Sequence, residues 1–241
     1  MSAENNEKLY RAIGMIDDKY IEEADMKKRR FSKKTVLVAA AAAVLLCGSA
    51  VATNSVISGR IGSGTNKPVY EEVVDSDTIF RDFGFSTNLV ESFSNGYSFE
   101  AAYKGDTSDV DSEGNKLNSF NDLTCSYKNG DEEVSLTAEP AEYNSYDEYE
   151  TAGEYNGIRL VYNEQMYKFV PGDYELTEQD KADEASGKYI FSYGTDNIEA
   201  RNFKWLGWMQ DGVAYALYGH DISLTEQELI DMAEEVIDNQ S

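Results

Sequence analysis

Period-two alternation of apolar and polar residues runs through the second half of the chain. Tyr97, Phe99, Ala101 and Tyr103 alternate with Ser98, Glu100 and Ala102; Leu123, Cys125 and Tyr127 alternate with Thr124 and Ser126; Val134, Leu136 and Ala138 continue the pattern. Successive side chains of a strand point to opposite faces, so this pattern predicts half-buried strands. Asn129-Gly130 lies between the second and third and tolerates the positive φ angles of a type I′ turn, which predicts a hairpin there. Ile158 to Tyr162 and Met166 to Val170 read as another pair joined by a short polar turn. Tyr189 to Tyr193, Ile198 to Leu206 and Val213 to Tyr218 read as further strands, the last two separated by Asp211-Gly212. The expected sheet is antiparallel.

The period changes at the C-terminus. Leu229, Ile230, Met232, Ala233, Val236 and Ile237 form a helical apolar stripe. Thr225 and Glu228 make a T-x-x-E capping box at its start, with Leu224 and Leu229 placed as a hydrophobic staple. This helix is expected to close one face of the sheet, giving an α+β domain over residues 78–241. Thr78 to Phe85 reads as a short helix at the domain's start.

The first part of the chain has a different texture. Leu9, Ile13, Ile16, Tyr20 and Ala24 recur at three- and four-residue steps, the stripe of an amphipathic helix softened at Gly14. Some 30 residues bury too little apolar surface to form a domain alone, so the stripe wants a partner: the inner leaflet beside the basic cluster, or another protein's groove. Val36 to Ala52 is uncharged, with Ser49 as its single side-chain hydrogen-bonding group. Taken as residues 35–56 it would make ~33 Å of helix at about 1.5 Å per residue, a match to a hydrocarbon core of about 30 Å. Residues 57–77 contain Ser58-Gly59, Gly62-Ser63-Gly64 and Pro68 with little apolar periodicity and read as a flexible tether, a natural place for a signal-dependent cut.

Charge orients this arrangement. Residues 1–34 carry nine Lys/Arg against seven acidic residues, +2, whereas residues 57–241 carry twelve against thirty-eight, −26. Lys27, Lys28, Arg29, Arg30, Lys33 and Lys34 stand on one side of the apolar run only. By the positive-inside rule the expectation is a single-pass plasma-membrane protein with a cytoplasmic N-terminus and an extracytoplasmic C-terminal domain. Ala50-Val51-Ala52 is an A-x-A cleavage pattern, but the 34 residues before the apolar run far exceed an ordinary signal-peptide n-region. Leu46 before Cys47 also departs from a lipoprotein box. A net charge of −24 repels phosphate backbones, which argues against nucleic acid as a partner.

Several segments resemble one group of proteins. They are Tyr167-Lys168-Phe169-Val170-Pro171-Gly172-Asp173-Tyr174-Glu175-Leu176-Thr177, Ser192-Tyr193-Gly194, Asp211-Gly212-Val213-Ala214-Tyr215 and the stretch Leu224 to Ala233. They are similar to a C-terminal domain of unknown function in single-pass membrane proteins of Gram-positive bacteria, many of them labelled anti-sigma factors. The leader from Leu9 to Ala24 resembles the cytoplasmic leader of the same group. The resemblance implies a regulatory protein whose leader captures a sigma factor through Leu9, Ile13, Ile16 and Tyr20, while the exported domain meets an extracytoplasmic ligand or protein. The chain departs from zinc-binding anti-sigma domains, because no His or Cys precedes Cys47. The alternative is an anchored, exported binding domain with no sigma-factor role.

No motif points to an enzyme. Two Cys and one His cannot build a zinc cluster, a haem ligand set or a disulfide framework. Asp106, Asp109, Asp111, Glu113 and Gly114 resemble the opening of a calcium loop, but Phe120 stands at the twelfth position from Asp109, where a bidentate carboxylate belongs. A solvated acidic loop is the plainer expectation. Tyr143, Tyr146 and Tyr149 form a row suited either to stacking on a ligand or, more simply, to edging a core. His220, in Tyr-Gly-His-Asp, reads as a turn residue and the two tryptophans as packing. The stretch Gly59 to Thr65 is Gly-rich without the Lys-Ser/Thr of a phosphate-binding loop. No catalytic, cofactor or metal residues are assigned.

Overall fold

The computed structural model describes residues 51, 52, 55, 56, 59–64, 67–111, 113, 115–147 and 149–240. The chain runs β1 (Val51–Ala52), β2 (Ser55–Val56), β3 (Gly59–Gly64), α1 (Ser76–Phe83), β4 (Ser98–Val110), β5 (Lys116–Asn129) and β6 (Glu132–Pro140). A 3-10 turn (Ala141–Tyr143) follows, then β7 (Thr151–Tyr155), β8 (Ile158–Val170), α2 (Glu178–Ala185), β9 (Ile190–Tyr193), β10 (Glu199–Gln210), β11 (Val213–His220) and α3 (Glu226–Asn239). The result is a mixed α+β domain whose sheet curls into a half-barrel. Strand order is β3-β4-β5-β6-β11-β10-β8-β7, all antiparallel. β9 lies parallel to β8, on the edge that β7 leaves free, and α2 makes the crossover that a parallel pair requires.

One face of the sheet is packed by α1 and α3. Leu123, Cys125 and Tyr127 of β5, Val134, Leu136 and Ala138 of β6, and Trp208, Tyr215 and Leu217 meet Ile79 and Phe83 of α1 and six apolar residues of α3. The capping box at Thr225 and Glu228 is present, and Leu224 and Leu229 join this core. α1 is capped by Asp75 and stopped by Gly84 at φ +88°, a single left-handed residue of the kind a helix end favours in glycine. Cys125 is buried there as a free thiol, and burial pushes its ionisation up.

Several expectations are corrected. The hairpin between β5 and β6 exists, but Asn129 pairs with Glu132, so its two turn residues are Gly130-Asp131, with Gly130 at φ +63°. The true pairs of positive-φ turn residues are Asp211-Gly212, as expected, and Asn156-Gly157, which joins β7 to β8. Ile158 to Val170 is one strand and not a hairpin, because Asn163, Glu164 and Gln165 lie in register with Trp205, Lys204 and Phe203 of β10. The alternation in β4 slips at Glu100, where a bulge shifts parity: Phe99 pairs with Tyr127 but Ala101 pairs with Ser126, placing Ala102 in the helix-covered core.

The N-terminal boundary also moves. Gly59–Gly64, expected in a flexible tether, is the edge strand β3, paired with Gly105 to Val110 of β4. Farther along, Val69 N–H donates to Ala102 C=O and Ala102 N–H to Tyr70 C=O, so this segment covers the rest of that edge. Polar composition concealed the strand because an edge strand with no core side chain shows no apolar period. The last residues of the expected span, 51–56, contain β1 and β2, paired antiparallel. Residues 35–50 and the leader stripe of Leu9, Ile13, Ile16 and Tyr20 lie outside the described residues. No described helix is long and apolar enough to cross a membrane.

Candidate functional site

The face of the sheet opposite the helices is also buried, and its first three inner strands carry polar residues. Antiparallel partners share a face, so the registers place Thr107 and Asp109 of β4 with Phe120, Asp122, Thr124 and Ser126 of β5, and with Ser135, Thr137 and Glu139 of β6. Asp109, Asp122 and Glu139 are all buried. Three carboxylates on adjacent strands are expensive to desolvate unless cations and donors meet them.

Arg60 of β3 supplies the cation. Its Nε donates to Asp109 Oδ1 at 2.8 Å, and Nη1 donates to Asn144 Oδ1 at 3.1 Å and lies 3.5 Å from Glu139 Oε1. Nη2 donates to the Tyr143 carbonyl. The guanidinium rests 4.9 Å from the centre of the Phe120 ring, which in turn stacks on Tyr143 at 4.5 Å. One side chain from the edge strand therefore touches β4, β5, β6 and the loop after β6. Asp109 Oδ2 is buried without a hydrogen-bond partner in this structure.

The carboxylates differ in how they are held. Thr107 Oγ1 donates to Asp122 Oδ1 at 2.9 Å, yet burial dominates and raises the acid. Gly105 makes room for this group: a Cβ there would sit 2.3 Å from Asp122 Oδ1. Glu139 is pushed up to about 7 by burial, with Asp122 and Asp109 adding repulsion while Arg60 and the Asn144 amide favour the anion. Thr124 and Thr137 share a hydroxyl hydrogen bond at 3.1 Å, and Tyr218, paired with Ser135 across the strands, lies on the same face. The described residues contain no group of three or more His, Cys, Asp or Glu able to hold a metal ion. The arrangement sets three buried carboxylates against one guanidinium.

Farther across the same face, aromatic side chains take over. Tyr146 packs edge-on against Trp205 at 5.3 Å and donates to the Tyr215 carbonyl, and Tyr149 lies 4.8 Å from Trp205. Gly207 permits this, since a Cβ would come within 2.5 Å of the Trp205 ring. The tyrosine row thus edges a core, the plainer of its two expectations. His220 closes β11 with its ring among Tyr167, Phe169 and Phe203. Desolvation lowers its ionisation to about 4, leaving it neutral near pH 7 with Nδ1 unpartnered.

The calcium-like sequence is dispersed. Asp106 and Asp109 lie within β4, and Asp109 turns to Arg60. Asp111 ties the hairpin by accepting from the backbone N–H groups of Glu113 and Asn115. Arg60, Asp122 and Glu139 were not among the expected site residues. A signal for Arg60 exists: it is the single charge between Ser55 and Asn66. No family model, curated protein or solved structure matches this chain.

Proposed function

We propose that the chain is a single-pass, membrane-anchored regulatory protein whose C-terminal α+β domain faces the extracytoplasmic side and whose N-terminal helix binds a cytoplasmic partner, with a sigma factor as that partner. One observation carries the reading: the uncharged run Val36 to Ala52 separates a +2 segment with a one-sided basic cluster from a −26 segment. The resemblance of both ends of the chain to anti-sigma-like membrane proteins supports the choice of partner. The fold adds a physical link, because β3 starts a few residues after the apolar run and Arg60 secures it to four elements of the domain. The reading contains no catalytic step.

A second reading is favoured by the lack of His and Cys before Cys47, which leaves sigma capture to one short apolar stripe. In it, residues 1–34 are only an anchor leader and the exported domain binds an extracytoplasmic ligand or protein.

One experiment tests the topology that both readings share, and a second separates them. Protease added to intact spheroplasts should digest residues 67–240 and spare residues 1–34; the reverse pattern would invert the topology. A pull-down with residues 1–34 should recover a sigma factor, since each buried aliphatic side chain contributes about 1.5 to 3 kcal/mol in a groove. Ile13→Asp with Ile16→Asp should abolish capture and Lys8→Ala should not. Recovery by neither peptide moves the assignment to the anchored binding domain.

A further inference from the structure

We propose that β3 is a latch held closed by a proton on Glu139 in the carboxylate cluster beneath Arg60, so that alkalinisation releases the strand leading out of the apolar segment. The inference concerns the domain alone and stands under either reading of the leader.

The groups facing Glu139 are Arg60 from β3, Asp109 from β4, Asp122 from β5, and Tyr143, Asn144 and Tyr146 from the loop after β6; β11 offers the uncharged Ala214. Asp106, near Asp122, and Glu142, beside Tyr143, add negative charge one contact farther out. With every carboxyl ionised, one guanidinium faces three buried anions. Retaining a proton on Glu139 removes one of them, and burial is the chief reason that it holds its proton up to about pH 7.

Relief of that repulsion has one easy route. β4, β5 and β6 are each paired on both sides, whereas β3 pairs only with β4 through six residue positions and contains Gly59, Gly62 and Gly64. Residues 61–64 are exposed, leaving Arg60 as the half-buried anchor of the strand. Lifting β3 withdraws Arg60 and admits water to all three carboxylates, which returns Glu139 toward its ordinary value of 4.5. The closed state therefore binds more protons than the open one between about pH 4.5 and 7. The sign follows: latch stability is full below that window and falls as pH rises through it. At high pH, Arg60 alone opposes two or three anions and β3 opens while the inner strands stay paired.

The test is hydrogen exchange of the full chain in nonionic detergent, corrected for intrinsic rates, at about pH 5.5 and about pH 8. Peptides spanning residues 59–64 should lose at least about tenfold of their protection at the higher pH, with β11 unchanged. Glu139→Gln, which mimics the protonated acid, should hold residues 59–64 protected at both values. Arg60→Met should leave them unprotected at both while β11 remains protected, which shows that the domain stays folded. Equal protection of residues 59–64 at both pH values in the natural chain would overturn the proposal. So would an undiminished pH response in a folded Glu139→Gln chain. Should that variant fail to protect β11, the profile of the natural chain decides alone: a midpoint near 7 supports the latch and its absence refutes it.

Discussion

On one side of β5 and β6, Leu123, Cys125 and Tyr127 meet Ala138, Leu136 and Val134; on the other side of the same strands, Thr124 and Ser126 meet Thr137 and Ser135, with Asp122 and Glu139 one step beyond. Both faces are largely buried, by different means. The helix-covered face holds through apolar area and close packing, which do not depend on protonation. Across β4, β5 and β6 the opposite face holds through side-chain hydrogen bonds and a single guanidinium, with Asp109 Oδ2 left unpartnered, so the strength of that part depends on which groups carry protons. Burial alone therefore does not say which side of a sheet can respond to its surroundings.

The largest test of this contrast is Trp208→Ala. Trp208 is fully buried and stacks on Tyr215 at 5.2 Å, so its truncation should lower unfolding free energy by about 3 to 5 kcal/mol in urea titrations. A loss below about 1 kcal/mol would show that the helix-covered core is not the main stabilising layer. Gly207→Ala probes the aromatic half of the opposite face. Its new methyl would collide with Trp205, and overpacking of this kind should cost about 1 to 3 kcal/mol, with near-ultraviolet circular dichroism of the tryptophan altered. The subtlest test is a double-mutant cycle on the hydroxyl pair. Thr137→Val alone strands Thr124 and should cost about 1 to 3 kcal/mol. Adding Thr124→Val should cost less than the sum of the two single changes, because no orphaned hydroxyl then remains in the pair. Strict additivity would mean that the polar face is not a coupled network.

The same contrast explains what the amino-acid sequence disclosed. α3 was legible because its stripe and its capping residues agree with each other. β11 was legible as a strand, and its unbroken burial reflects a position between β6 and β10 with both faces covered. The bulge at Glu100 was not, since the extra residue is defined by its partner strand and not by local composition. Nor was the continuity of β8, where Asn163, Glu164 and Gln165 look like a turn until Asn202 and the register with β10 are known. α2 carries a T-x-x-D capping box at Thr177 and Asp180, and Lys168 at 2.5 Å helps to lock Asp180 in place. That signal was present and unread. The carboxylate cluster was the least legible part. Alternating Asp, Thr and Ser in β5 look like a solvated face, and only a distant strand with one arginine makes them an interior.

The sheet order has a consequence for the order in which the chain leaves the ribosome. β4, β5 and β6 emerge as a local meander that can pair at once, but β6 gains its second neighbour, β11, only after some 70 further residues have been made. Part of the apolar face of that meander waits longer still, because α3, which packs on it beside α1, follows β11 in the chain. Until then only α1 and the segment that follows it, with Phe93 against Tyr127, are available to cover Leu123, Cys125, Tyr127, Val134 and Leu136. Contacts of such long sequence separation slow folding and prolong exposure of sticky intermediates. A chain stopped before Glu226 would never acquire the cover, and the early meander would become a target for chaperones and proteases.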